Sequence, residues 1–319
     1  MLNPIKETSF LLSCIPLLLV SCTSTVFDES DKLEKVPISF SVQPETRGAV
    51  IEKKDLTDFQ VWGWRKVSVD SEYISVFNGV NVIKDSGWDY EGGDIYWNMN
   101  EYYDFYAVHP NKITAEVTNG GSIIINDFDC SKTGADAVDL MTAKKTGITY
   151  TSGSTVLPVE LSFGHELSKL KFAIKTKSHS IKLKNVWVYG MVNTGTFSST
   201  TSPVWSQLGQ AVVKDNTPYK VSQNPGISVG VNQTYSLFGD FMIIPQDIND
   251  GVKIELDYEY DNEPGVDYSA SVALNAGSVK SWEKSQSYSY VVTIPENTAD
   301  VSLSVSVLAW DEKNTSVQW

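Results

Sequence analysis

Apolar and polar residues alternate with a period of two along much of this chain, and Val252–Asp261 shows the pattern most clearly. Val252, Ile254, Leu256, Tyr258 and Tyr260 share one parity, while Lys253, Glu255, Asp257, Glu259 and Asp261 share the other. A strand of this kind sets one face on a core and the other in water, as antiparallel sheets do. Val36/Ile38/Phe40/Val42 repeats the pattern, with Pro37 near its start and Pro44 just past its end. Tyr288/Tyr290/Val292/Ile294 and Val301/Leu303/Val305/Val307 repeat it again near the C-terminus. Turn signals separate the runs, among them Asn78-Gly79, Gly92-Gly93, Asn119-Gly120-Gly121 and Asn249-Asp250-Gly251. Sustained helical periodicity is hard to find. Short strands between such turns predict an all-β chain built of sandwiches rather than a parallel α/β fold.

One stretch breaks the rhythm. From Val159 to Lys175 the apolar residues run on odd numbers as far as Leu167 and on even numbers from Leu170. A change of phase inside an alternating segment means a bulge or a brief break between two strands. The preceding stretch, Lys144 to Pro158, is rich in Thr, Ser and Gly and reads as a linker. The predicted organisation is therefore two sandwich domains, at 36–155 and 156–319, with the first strand at 36–43.

Length, charge and the N-terminus refine this picture. The 319 residues suffice for one large or two ordinary domains with proper cores. A net charge of -14 argues against nucleic acid or an anionic membrane surface as an electrostatic partner. Residues 1–21 read as a targeting segment, with Lys6 as a thin basic region and Phe10–Val20 as an apolar run too short to span a bilayer. Leu19-Val20-Ser21-Cys22 resembles the lipobox of bacterial lipoproteins, which implies cleavage before Cys22 and a diacylglycerol on its thiol; an ordinary signal peptide is the other reading. Residues 22–35 form a polar, acidic tether, loosely similar to the surface-export signal of Bacteroidetes lipoproteins. With Cys14 lost and Cys22 lipidated, Cys130 stands alone, so the mature chain is expected to hold no disulfide and no cysteine-based metal site.

Candidate chemistry is sparse. His109, His165 and His179 lie far apart and in no recognisable motif, and His109 and His165 read as structural. Asp127 and Asp129 have D-x-D spacing without the Gly-rich loop and distal Glu of a calcium site, and a solvated loop is favoured. No P-loop or Rossmann fingerprint is present, and neither a metal nor a cofactor is expected. The tryptophans have a better claim as binders. Trp62 and Trp64 share a strand face with Gly63 between them, and Trp88 and Trp97 fall in a Gly-containing aromatic stretch. Stacking platforms for sugar rings have this look, and so do packed cores; the strand preference of aromatic residues favours packing.

Taken in order, the lipobox, "VPISFSVQPETRGAV" (from Val36), "YYDFYAVHP" (from Tyr102), "DLMTAKK" (from Asp139), "VELSFGHELSKLKFAI" (from Val159), "FMIIPQ" (from Phe241) and the closing "VSVLAW" resemble the fimbrillin family of Bacteroidetes. The resemblance spans nearly the whole mature chain. It implies two transthyretin-like Greek-key β-sandwich domains and a structural, non-enzymatic subunit of a fimbria on the outer membrane and cell surface. It also implies assembly by donor-strand exchange: an arginine-specific protease removes the first strand, and a strand from another fimbrial subunit fills the vacated groove. Carried onto this chain, Val36, Ile38, Phe40 and Val42 would be the displaced strand and cleavage after Arg47 would expose Gly48. The candidate donor is Val301 to Trp319, where Val301, Leu303, Val305 and Val307 alternate; Val301–Trp310 reads rather as the last strand of the C-terminal domain, which leaves Asp311–Trp319 as a short C-terminal appendage. The alternative function is a non-polymerising surface lipoprotein that binds glycan or host protein through its aromatic loops.

Overall fold

The structure, a computed structural model, describes residues 35–44 and 56–310 apart from 152, 154, 203, 277–278 and 296–300. Nine strands come from the first part: β1 (Phe40–Pro44), β2 (Asp58–Lys66), β3 (Ile74–Lys84), β4 (Trp88–Tyr90), β5 (Tyr102–His109), β6 (Glu116–Val117), β7 (Ile123–Asp129), β8 (Met141–Thr149) and β9 (Val159–His165). Twelve follow: β10 (Ser168–Thr176), β11 (Ile181–Tyr189), β12 (Thr194–Ser198), β13 (Trp205–Ser206), β14 (Lys220–Val229), β15 (Thr234–Ile243), β16 (Gln246–Asp247), β17 (Lys253–Tyr260), β18 (Tyr268–Ala273), β19 (Ser281–Trp282), β20 (Gln286–Ile294) and β21 (Ser302–Ala309). The only helical pieces among the described residues are two short 3-10 turns, Gly134–Asp136 and Lys214–Asn216. None is long and apolar enough to cross a membrane. The all-β expectation holds.

The alternating runs do what their period requires. In β17, Ile254, Leu256, Tyr258 and Tyr260 are buried, while Lys253, Glu255 and Asp257 face the other way. Glu259 shares that outer face and is covered by Lys184, whose ammonium lies 2.9 Å from its carboxylate and holds its pKa below the usual range. In β20, Tyr288, Tyr290, Val292 and Ile294 are all buried.

Two hydrophobic cores result. The first lies on one face of a seven-stranded sheet ordered β1-β9-β8-β5-β2-β3-β4. The second is enclosed by three four-stranded sheets, β15-β10-β20-β21, β14-β11-β17-β18 and β13-β12-β7-β6. Its aromatic centre stacks Tyr219 on Phe241 at 4.2 Å and Phe172 on Tyr290 at 5.4 Å. Trp282 donates its indole N–H to the Tyr290 hydroxyl at 2.9 Å, so both polar tips are satisfied inside the apolar interior.

The change of phase in the sequence marks the crossing between these cores. β9 buries Val159, Leu161 and Phe163 in the first core, whereas β10 buries Leu170, Phe172 and Ile174 in the second. The break falls at Glu166 and Leu167, between two strands in different sheets. The boundary drawn at 155/156 therefore stops one strand short, because β9 pairs with β8 and β1. In the other direction, Ile123, Ile125, Phe128 and Cys130 of the first half pack into the second core. A composition shift marks where the chain is loose, whereas cores are assembled by pairing, and here the two do not coincide.

Candidate functional site

The segment at the start of the described chain closes a seam. At one end, Phe40–Pro44 runs parallel to β9, with Phe40 opposite Val159 and Val42 opposite Leu161, and the Val159 N–H donates to the Ser39 carbonyl at 2.7 Å. At the other end, Pro37 makes an isolated bridge to Tyr96, in the stretch between β4 and β5. There the Ile38 N–H donates to the Ile95 carbonyl at 2.7 Å and the Trp97 N–H to the Val36 carbonyl at 3.0 Å. The Tyr90 hydroxyl joins the segment to this stretch, donating to the Ile38 carbonyl at 3.1 Å and accepting from the Ile95 N–H at 3.0 Å. Burial pushes the Tyr90 pKa up, which keeps it a neutral donor. One short segment thus covers both β9 and the 95–97 stretch, and without it both would present unpaired backbone groups.

Side chains reinforce this seating. Ile38 and Phe40 are fully buried in the first core, and Val36 and Val42 pack against it in part. The ring of Phe40 stands edge-to-face with four others: Phe77 at 5.4 Å, Phe105 at 5.7 Å, Tyr90 at 6.0 Å and Phe59 at 6.2 Å. Gly63 makes room for two of them, since a Cβ there would lie 3.0 Å from both Phe77 and Phe105. The Gly between Trp62 and Trp64 is therefore a clearance for the aromatic box on the opposite face of β2. Burying Ile38 and Phe40 contributes about 1.5–3 kcal/mol each.

Arg47 and Gly48 lie outside the described residues, in the connection that leaves Pro44 and reaches Leu56, and Cys22 lies outside them as well. At the other end of the chain, β21 is the edge strand of the β15-β10-β20-β21 sheet, antiparallel to β20 from Ser302 to Ala309. Val301, Leu303 and Val305 pack in part against the second core, and Val307 is 42 % exposed. Just past the strand, Trp310 stacks flat on His165 at 4.2 Å and donates its backbone N–H to Ser285 at 3.0 Å. His165 in turn pairs through Nδ1 with Asp139 at 2.8 Å. The stretch Val301–Trp310 is therefore seated as the last strand of the second core, and Asp311–Trp319 lies outside the described residues.

The remaining candidates are structural in their surroundings. Trp62 and Trp97 are buried, Trp64 packs against Tyr106 and Trp88 against Phe59. Trp62 also covers Gly79, where a Cβ would sit 3.3 Å from the indole. Trp62 and Trp97 fill cores, whereas Trp64 and Trp88 pack at core edges and stay half-exposed. His109 makes a 2.6 Å hydrogen bond through Nδ1 to the Asp58 carbonyl. Asp129 accepts from the backbone N–H and hydroxyl of Ser131 at 2.7 and 2.8 Å, which is turn chemistry. Among the described residues no group of His, Cys, Asp and Glu side chains is placed to hold a metal. Cys130 is a buried free thiol whose pKa burial pushes up, an inert setting.

One feature gave no signal along the sequence. A pocket of about 340 Å³ opens between β8, β9 and the β12 region, lined by Tyr106, Thr142, Lys144, Glu166, Phe197 and Lys284 among others. Glu166 is buried there, accepting from the Thr142 hydroxyl at 2.7 Å and from Lys284 at 3.1 Å. Tyr106 has its pKa pushed up to about 12, chiefly by burial and then by Asp104 and Tyr73. The lining comes from strands and loops far apart in the chain, so no local spacing could have shown it.

Paired strands around two aromatic cores, without a catalytic or metal constellation among the described residues, define an all-β protein of the β-sandwich type. The chain belongs to the fimbrillin-like family, whose model matches residues 46–310. Solved structures share the fold. A fimbrial protein from Bacteroides vulgatus is 16% identical with a TM-score of 0.61, over 86% of this chain and 99% of that one. A candidate cell adhesion protein from Bacteroides ovatus is 15% identical with a TM-score of 0.54, over 88% and 99% of the two chains. Another, from Bacteroides uniformis, is 18% identical with a TM-score of 0.51, over 86% and 99%. No curated protein sequence matches the chain.

Proposed function

We propose that this protein is a structural subunit of a cell-surface fimbria, anchored to the outer membrane through Cys22 until an arginine-specific protease cleaves after Arg47. Cleavage there detaches the segment carrying Val36, Ile38, Phe40 and Val42, and another fimbrial subunit replaces it with a strand of its own. The role is mechanical, adding length and adhesive surface to the fibre. Family membership supports the fimbrial setting. The observation that carries the assembly mechanism is the seating of the first strand: a short segment on both sides of a seam, with its apolar side chains in the core, followed within three residues of Pro44 by Arg47. Strand addition uses the same backbone hydrogen bonds and alternate side-chain pockets for any chain that fits, so a removable strand leaves a site ready for another.

Replacing Arg47 tests this. Arg47→Lys keeps the charge but denies an arginine-specific protease its residue. In cells, wild-type protein is expected to give a ladder of SDS-resistant multimers, and Arg47→Lys and Arg47→Ala are each expected to give monomer alone. Ladders of equal strength from either variant would remove Arg47 from the mechanism.

A further inference from the structure

We infer that the groove beneath the first strand takes a donor strand that carries a phenylalanine or a ring of similar size at the position of Phe40, and that β21 of a second copy is not that donor. The inference rests on the strand-exchange reading above and adds the side chain that the incoming strand must carry.

The shape of the groove sets the requirement. Phe40 is enclosed by Phe59, Phe77, Tyr90 and Phe105, each within 6.2 Å of its centroid and each edge-on to it. These four rings cannot close over a missing one. Phe77 and Phe105 are wedged over Gly63, Phe59 rests on Phe163 and Trp88, and Tyr90 is tied by hydrogen bonds to the Ile95 backbone. A strand that offers an aliphatic side chain here leaves a void beside four aromatic faces, and such voids are costly in proportion to how little the site can collapse. The demand holds whichever way the incoming strand runs, because it belongs to the box and not to the backbone register.

The chain's own C-terminal strand does not meet the demand. On the apolar face of β21, Val301, Leu303, Val305 and Val307 present three valines and a leucine, so every register of that face puts an aliphatic residue in the box. The nearest aromatic, Trp310, falls on the opposite parity and is stacked on His165. β21 is also engaged: it pairs with β20 along its whole length and covers part of the second core. Moving it would open one core to fill another imperfectly. The fitting occupant is an extended strand with the order aliphatic, aliphatic, aromatic, aliphatic on alternate residues, the order that Val36, Ile38, Phe40 and Val42 display.

Fluorescent peptides read this directly. Full-length protein nicked with an arginine-specific protease is incubated with labelled peptides of three sequences: Lys35–Pro44, the same with Phe40→Val, and Val301–Trp310. Uptake is measured as label in the SDS-resistant band. The Lys35–Pro44 peptide is expected to enter, and the other two to enter more weakly by about tenfold or more, a difference of about 1.4 kcal/mol. Uptake of Val301–Trp310 or of the Phe40→Val peptide equal to that of Lys35–Pro44 would overturn the inference while leaving strand exchange intact. Uptake of none of the three would overturn strand exchange itself, and the inference with it.

Discussion

Phe40→Ala is expected to lower the free energy of unfolding by about 3–5 kcal/mol, the cost of deleting a buried ring from a site that cannot relax. The residue is 4% exposed and meets four aromatic neighbours, so both the transfer of its ring from water and the dispersion contacts around it are lost. Urea denaturation followed by tryptophan fluorescence measures the loss. Trp88 and Trp97 report on the first core, and Trp205 and Trp282 on the second. Val42→Ala provides the comparison: its side chain is only partly buried at the rim, and the expected loss is about 1 kcal/mol. Equal effects from the two substitutions would mean that the first strand is a loose cover rather than a plug, and the account of the groove would lose its physical basis.

Gly190→Ala is expected to be comparably damaging in the second core, for a different reason. Gly190 follows β11 with φ +92°, a conformation that side chains rarely adopt, and donates its N–H to the Val212 carbonyl at 2.8 Å. A Cβ built there would fall 2.0 Å from the carbonyl oxygen of Gly251 and 2.5 Å from its carbon. Those are backbone atoms of the turn that enters β17, so relief requires displacing the turn rather than rotating a side chain. Strain of about 1–3 kcal/mol from the backbone and about 1–3 kcal/mol from overpacking combine to a loss of about 2–6 kcal/mol. Gly147→Ala separates the two causes. Gly147 also has positive φ, +69°, but nothing lies within 4 Å of its Cβ position, so only the strain of about 1 kcal/mol remains. If the two alanine variants melted alike, the close approach of Gly190 to Gly251 would not be a packing constraint.

The strands themselves were legible in the sequence because burial on one face of a sheet leaves a period-two trace. β17 and β20 could be drawn from alternation alone, whereas the strand read at 36–43 is laddered only from Phe40 to Pro44, and the switch of parity near Leu167 located the crossing between two cores. The features that make the first strand a candidate site left no such trace. Its parallel pairing with β9 joins Phe40 to Val159 across more than a hundred residues, and its contact with Ile95 and Trp97 joins it to a loop without a strand pattern. Nor did "VWGWRK" reveal its own logic. Alternation put Trp62 and Trp64 on one face, but nothing local shows that Gly63 faces an aromatic box assembled from β1, β2, β3, β4 and β5. The tryptophans illustrate the same limit. A platform for a sugar ring and a wedge between packed sheets have the same local sequence, and only the opposing surface distinguishes them. The boundary drawn at 155/156 followed composition, which tracks chain flexibility, while the cores follow pairing.

The central claim is that this subunit loses its first strand when it assembles, and the mature N-terminus of the protein on the cell surface tests that most directly. Mass spectrometry of SDS-resistant multimers recovered from cells is predicted to find an N-terminal peptide beginning at Gly48 and no peptide covering Val36–Val42 linked to the body of the chain. A chain that begins at lipidated Cys22, retains Val36–Val42 and runs only as monomer would contradict the claim.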